Sequence, residues 1–163
     1  NVGKSSFIRL VSTAEPEIAA YPFTTKGIIV GHRDIGKRQR VQFIDTPGVL
    51  ERPADERNPI ERQALSAIIN TADAVLFILD ASEHCGYSLD DQMRLLEEVR
   101  QLVDVPVVTV VNKVDIRGIE GYPTMSTLTG EGVEAVLDHL LTLRKEATRQ
   151  TNLREPPQPE TRQ

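Results

Sequence analysis

The chain has 163 residues, the size of one domain, and its 39% hydrophobic content is enough for a core. A net charge of −5 argues against a strong nucleic-acid surface, so no DNA partner is expected. No apolar run is long enough to span a bilayer, so no membrane partner is expected either. The single cysteine excludes an internal disulfide and fits a reducing compartment. With no secretory signal visible, a cytoplasmic location is expected.

The chain opens on Asn1-Val2-Gly3-Lys4-Ser5-Ser6, which reads as the second half of a phosphate-binding loop, G-x-x-x-x-G-K-[ST]. In that motif backbone N–H groups at a helix start face phosphates. Gly3 lets the backbone come close, Lys4 supplies a point charge, and the Ser5 hydroxyl is the expected Mg²⁺ ligand. The first Gly of the motif and the strand before it are not in the sequence. Lys4 to Thr13 reads as the first helix, with Phe7, Ile8, Leu10 and Val11 as its apolar stripe and Pro16 as its stop.

A loop follows, containing Thr24 and Thr25. Behind a phosphate loop, a Thr here can bind Mg²⁺ and sense a γ-phosphate. Ile28 to Arg33 and Gln39 to Ile44 read as a strand pair joined by the turn at Asp34-Ile35-Gly36-Lys37. The pair runs into Asp45-Thr46-Pro47-Gly48, in which Asp45 fits the Mg²⁺-side carboxylate and the Gly48 N–H the γ-phosphate. Asn58-Pro59-Ile60-Glu61 is a helix start, and Ala74 to Leu79 reads as a buried parallel strand. Ser82-Glu83-His84-Cys85-Gly86-Tyr87 is an unusual loop, before a helix capped by Ser88 with Asp91.

Val105 to Val111 is a further buried strand. It leads into Asn112-Lys113-Val114-Asp115, whose Asp115 carboxylate can accept from guanine N1–H and the exocyclic amine. Adenine offers no matching donors. In this reading Asn112 binds N7 and ties loops together, and the Lys113 stem packs over the base. Tyr122 to Ser126 is a short last strand, and the Ser126 and Thr127 N–H groups meet guanine O6. Glu131 to Lys145 is the closing helix. Strands alternating with helices imply an α/β fold, a P-loop NTPase of three α/β/α layers on a mostly parallel sheet, with ligands at the strands' carboxyl ends. The division expected is a nucleotide-binding domain over residues 1–150, without its first strand, and a disordered Pro-rich polar tail over residues 151–163. His32, His84, His139 and Cys85 share no metal-ligand spacing.

With these motifs in order, the chain resembles the translation-factor-like GTPases of the Obg type. Tyr21 to Gly27 looks like that group's switch loop. Asp55 to Ala67 and Asp80 to Gln92 resemble the NOG family, the nucleolar GTP-binding proteins of eukaryotes and their archaeal relatives. The resemblance covers residues 1 to 144. It implies GTP and GDP binding, slow Mg²⁺-dependent hydrolysis, and a role in assembling the large ribosomal subunit, whose precursor is the implied partner. Ras-like enzymes place a water-orienting Gln directly after Asp-x-x-Gly, whereas this chain has Val49. Catalysis, assigned to Lys4, Thr25, Gly48 and Asn1, then needs help. In related GTPases an Asn at the position of Asn1 helps bind K⁺ beside the phosphates; simple buttressing of the loop is the other role open to it. Two other functions fit the same motifs: a binding module in which GTP is a structural signal, and a regulatory small-GTPase switch. Lacking the central strand, residues 1–163 alone are expected neither to fold stably nor to turn over GTP.

Overall fold

The computed structural model describes residues 1–19, 28–36, 39–45 and 71–154, with side chains up to residue 144. In chain order the elements are α1 (Lys4–Val11), β1 (Glu17–Ala19), β2 (Ile28–Asp34), β3 (Arg40–Ile44), β4 (Val75–Asp80), α2 (Leu89–Leu102), β5 (Val107–Asn112) and α3 (Val133–Arg154). The helix start expected at Asn58 and the loops holding Thr24, Thr25, Gly48 and Val49 lie outside the described residues.

Helix α1 buries Phe7, Ile8 and Val11 and stops short of Thr13. At Ser12 the backbone turns extended, and both its N–H and its Oγ donate to Ile8 O, at 3.0 and 2.6 Å. The Thr13 N–H is then taken by His32 O at 2.7 Å, so β2, not Pro16, sets the end of the helix. Gly31 is where the two elements touch. A Cβ there would collide with Ser12 Oγ and Ile8 Cγ2, so α1 lies against β2 only because this position lacks one.

β2 pairs antiparallel with β3, Val30 opposite Ile44, and on its other side with β1, Glu17 opposite Val30. The sequence reading took residues 17–19 as loop; three residues are too few to show a period, and Ile18 stays 79% exposed. β4 pairs parallel with β5, Asp80 opposite Asn112. The strand expected at Tyr122–Ser126 is reduced to a single parallel bridge between Val111 and Thr124. Pro123 has no N–H to extend the ladder, and Ser126 already belongs to a turn, with its carbonyl accepting from the Gly130 N–H at 2.8 Å.

Alternation along β4 and β5 sends side chains to two faces. Ile78, Val108 and Val110 pack with Phe7 and Val11 of α1 and with Val136, Leu137 and Leu140 of α3. Leu79, Ala81 and Val111 face the other way, against Met93 of α2. Helices thus cover both faces, as the α/β/α reading expects. Helix α3 differs from its expected span at both ends. Gly130 and Gly132, at φ +85° and +71°, delay its start to Val133, and no Pro or Gly interrupts residues 133–154, so the helix runs on to Arg154. The tail expected from residue 151 is therefore helical through 154; residues 155–163 lie outside the description.

Among the described strands, β3 and β4 are each the last of their sheet, and they do not pair with one another. Between them runs a cavity of about 880 Å³ that reaches both helical layers. Its walls are β3 from Val41 to Ile44, β4 from Val75 to Ile78, Phe7 and Leu140 on one face, and Leu95 and Val99 on the other. Asn1 and Val2 stand at its border. Two backbone edges without a strand partner among the described residues, facing each other across an apolar gap, have the form of a strand site. An apolar strand joined upstream of Asn1 is expected to fill it. At about 1.5–3 kcal/mol per buried apolar side chain, several such residues should raise Tm by roughly 10 °C or more over residues 1–163 alone. Thermal unfolding of the two chains side by side checks this, and equal Tm values would reject it.

Candidate functional site

The expected site residues that are described lie at the start of α1, just past β3 and at and beyond the carboxyl end of β5. Gly3 precedes α1 with φ +105°, a left-handed conformation natural only to glycine, and a Cβ there would strike the Asn112 amide. Its carbonyl accepts from the Phe7 N–H at 2.9 Å. No side chain caps the helix at this residue and no acidic residue stands in its first turn, which leaves the helix start suited to an anion. Lys4 is half-buried on the border of the cavity, and Asn1 and Ser6 are exposed.

Two of the three expected metal ligands touch. Ser5 Oγ donates to Asp45 Oδ2 at 2.5 Å. Asp45 is 4% exposed, and its other oxygen, Oδ1, is buried with no hydrogen-bond partner among the described residues. A hydroxyl that spends its proton on a carboxylate keeps its lone pairs for a cation, and a buried carboxylate oxygen without a donor is costly unless a charge comes to it. This donor set of hard oxygens fits Mg²⁺. The third expected ligand, Thr25, and the phosphate-sensing Thr24 and Gly48 are outside the described residues.

Asn112, fully buried, holds the segment before α1 to the loop at Thr127, the expected phosphate and base sides. Its Nδ2 donates to Val2 O at 2.8 Å and to Thr127 Oγ1 at 3.0 Å, and its Oδ1 accepts from the Thr127 N–H at 2.9 Å. The role of tying loops together is therefore present. The N7 contact is not provided for, because both amide hydrogens are already in use. The same holds for the two N–H groups expected to meet guanine O6: that of Ser126 donates to Glu131 O at 2.9 Å and that of Thr127 to Asn112. In this conformation both residues build the loop. Asp115 is exposed and accepts from Ser126 Oγ at 2.5 Å through Oδ1. The hydroxyl thus orients the carboxylate while Oδ2 remains for a ligand.

The sequence reading missed Asp80. It ends β4, is wholly buried, and carries a charge at the end of an otherwise apolar strand, the one signal that could have singled it out. Oδ1 accepts from the Ser82 N–H at 3.0 Å and Ser82 Oγ at 2.5 Å. Oδ2 accepts from the Cys85 N–H at 2.9 Å and Lys113 Nζ at 2.5 Å. Its main chain is clamped by Gln92, whose Oε1 accepts from the Asp80 N–H at 2.8 Å and whose Nε2 donates to Asp80 O at 3.0 Å and Tyr87 O at 3.1 Å. The Ser82–Tyr87 loop is thus wired to the end of β4. As expected, Ser88 caps the following helix, with its Oγ accepting from the Asp91 N–H.

Burial pushes the Asp80 carboxyl up. The Lys113 hydrogen bond, the Ser82 hydroxyl, the Lys113 charge and the Ser82 N–H outweigh it and hold the carboxyl below its ordinary 3.8. A depressed folded pKa stabilises the fold above the unfolded value, and that contribution is lost as pH falls through the folded one. Asp80→Asn should therefore lower the urea midpoint at pH 7, and the gap to the unaltered protein should shrink as pH drops below about 4. Urea titrations at the two pH values measure it; a gap constant with pH would contradict the assignment.

A family model for nucleolar GTP-binding protein 1 matches residues 59–115. An uncharacterised protein of Methanocaldococcus jannaschii is 49% identical over 71% of this chain, and the nucleolar GTP-binding protein 1 of Drosophila melanogaster is 46% identical over 76%. The chain spans 32% and 19% of those two proteins. A crystal structure from Plasmodium falciparum, described as a nucleolar GTP-binding protein 1, superposes with a TM-score of 0.80 at 32% identity, over 94% of this chain and 86% of that one. This match bears out the α/β P-loop fold. The cytoplasmic location expected from the sequence does not stand, because the eukaryotic relatives are named for the nucleolus. With a relative of known structure 32% identical, covered over 86% of its length and on the same fold, the chain belongs to the nucleolar GTP-binding protein 1 family.

Proposed function

We propose that this chain is the nucleotide-binding part of a GTP-hydrolysing protein that acts in assembly of the large ribosomal subunit. The observation that carries the nucleotide reading is the Asn112 amide, which joins Val2 of the phosphate loop to Thr127 of the base loop and so sets the two halves of one ligand's site side by side. Its support for guanine is Asp115, held by Ser126 with one carboxylate oxygen left over. The ribosomal role is supported by family membership alone.

In this reading Ser5 and Asp45, with Thr25 from the loop before β2, hold Mg²⁺, which supplies charge neutralisation at the phosphates when bound. Lys4 and the N–H groups at the start of α1 bind the phosphates, and Gly48 offers an N–H to the γ-phosphate. Val49 has no group with which to orient water, so hydrolysis is slow until a cation or a partner assists. In the same reading Asn1, which resembles the K⁺-binding Asn of related GTPases, helps a K⁺ ion do so; buttressing the loop is the other role open to it. Val49 also favours a second reading, in which bound GTP is a structural signal and turnover is incidental.

Asp115→Asn replaces an acceptor facing two guanine donors with a group that is half donor. The loss should be about 2–4 kcal/mol of GTP binding, with preference moving toward xanthine nucleotides. Competition of GTP, ATP and xanthosine triphosphate against a fluorescent GTP analogue reads both effects, and equal affinity of the unaltered protein for GTP and ATP would remove the guanine reading. In the full-length protein, single-turnover hydrolysis should run faster in K⁺ than in Na⁺, lose that difference in Asn1→Ala, and accelerate on addition of large-subunit precursor particles. Rates indifferent to the particles would favour the signal reading, and rates equal in both salts would reject the cation.

A further inference from the structure

Asp80 has none of the roles assigned above, yet its carboxylate joins three things: the end of β4, the Ser82–Tyr87 loop and Lys113. Asp80 and Asn112 are register partners at the ends of adjacent parallel strands, so Lys113 is one residue past the end of β5. Its side chain therefore crosses from one strand end to the other, to reach Asp80 Oδ2 with its ammonium 2.5 Å away. The backbone beneath it is equally fixed. Lys113 sits at φ +61°, uncommon for a residue with a Cβ, and its carbonyl accepts from the Ile116 and Arg117 N–H groups at 2.8 and 3.1 Å.

A lysine stem of four methylenes has many rotamers when its ammonium is in water. Here the ammonium is held by a wholly buried carboxylate, and two residues further along the chain stands Asp115. The Asp80 carboxylate has no spare capacity: two bonds come from Ser82, one from Cys85 and one from Lys113, filling the four lone-pair sites of its two oxygens. Undoing any one donor leaves part of a buried charge unmet, so the loop and the lysine are held together or loosened together.

We infer that Asp80 is a positioning residue for the base: it fixes the Lys113 side chain across the ends of β4 and β5 beside Asp115, and it couples the Ser82–Tyr87 loop to that side chain. The inference rests on the guanine reading given above. Its physical content is preorganisation, since the ordering of Lys113 is met on folding and not on binding. The Ser-Glu-His-Cys-Gly-Tyr loop, which no step of nucleotide chemistry uses, acquires a purpose as the support of the base loop.

The test is a double-mutant cycle in the full-length protein, read as affinity for GTP and for ATP with fluorescent analogues. Asp80→Asn should weaken GTP about tenfold, Lys113→Met by at least as much, and the double variant no further than Lys113→Met alone, because Asp80 acts through the lysine. A carboxylate that merely holds the fold together would add its full effect in the Lys113→Met background, and that result would overturn the inference while GTP preference in the unaltered protein leaves the guanine reading intact. Equal GTP and ATP affinity in the unaltered protein would end the guanine reading, and this inference with it. Should Asp80→Asn not fold, Asp80→Glu, which keeps the charge but displaces it by one methylene, goes through the same cycle with the same expectation.

Discussion

The amide of Asn112 is the contact on which the site depends. It is fully buried, and all three of its hydrogen bonds run between segments far apart in sequence, from Val2 to Thr127. Each bond to the main chain is worth only about 1 kcal/mol, but a buried amide left without partners costs more than that. The geometry around it follows. Gly3 must lack a Cβ because the amide lies where one would be, and the Thr127 N–H is turned inward because the amide oxygen is there to receive it. The segment at the head of α1 and the loop after β5, proposed to hold the phosphates and the base, are joined through a side chain that contacts both.

The corner at Ser5 and Asp45, proposed to hold Mg²⁺, is built on a different principle. Ser5 and Asp45 come from a helix start and a strand end and meet through one short hydrogen bond. Asp45 Oδ1 beside it has no partner among the described residues, the kind of local deficit that a packed interior does not keep without reason. Asn112 is a finished contact and Asp45 an unfinished one. That difference separates what holds the site together from what the site is made to receive.

Much of this was legible in the sequence because it was written as spacing. Gly-Lys-Ser falls at the start of α1, Asp45 just past β3 and Asn-Lys-x-Asp at the end of β5, and the apolar runs read at Ala74–Leu79 and Val105–Val111 form the parallel strands Val75–Asp80 and Val107–Asn112. The Ser88 cap was visible from its partner Asp91. Other features were hidden for physical reasons. β1 is three residues long and carries no period. Pro123 silently removes a strand by removing a donor. Helix α3 runs past a polar stretch that composition alone marks as tail, because nothing there breaks a helix. The engaged N–H groups of Ser126 and Thr127 depend on Glu131 O and Asn112 Oδ1, partners that no local pattern names. Asp80 was passed over because its meaning lies in Lys113, 33 residues away, and in Gln92, 12 residues away.

The saturation of that carboxylate also bears on how this half of the molecule comes apart. A state in which β4 and β5 have paired but the Ser82–Tyr87 turn has not closed would bury a charge with three of its four donors absent, and such a state is disfavoured. A state in which α2 has lifted away would strip Gln92 from both backbone groups of the same residue. Partial openings are thus penalised from two directions, and amide protons at the end of β4, in the turn and at the head of α2 should exchange with solvent as one cooperative unit.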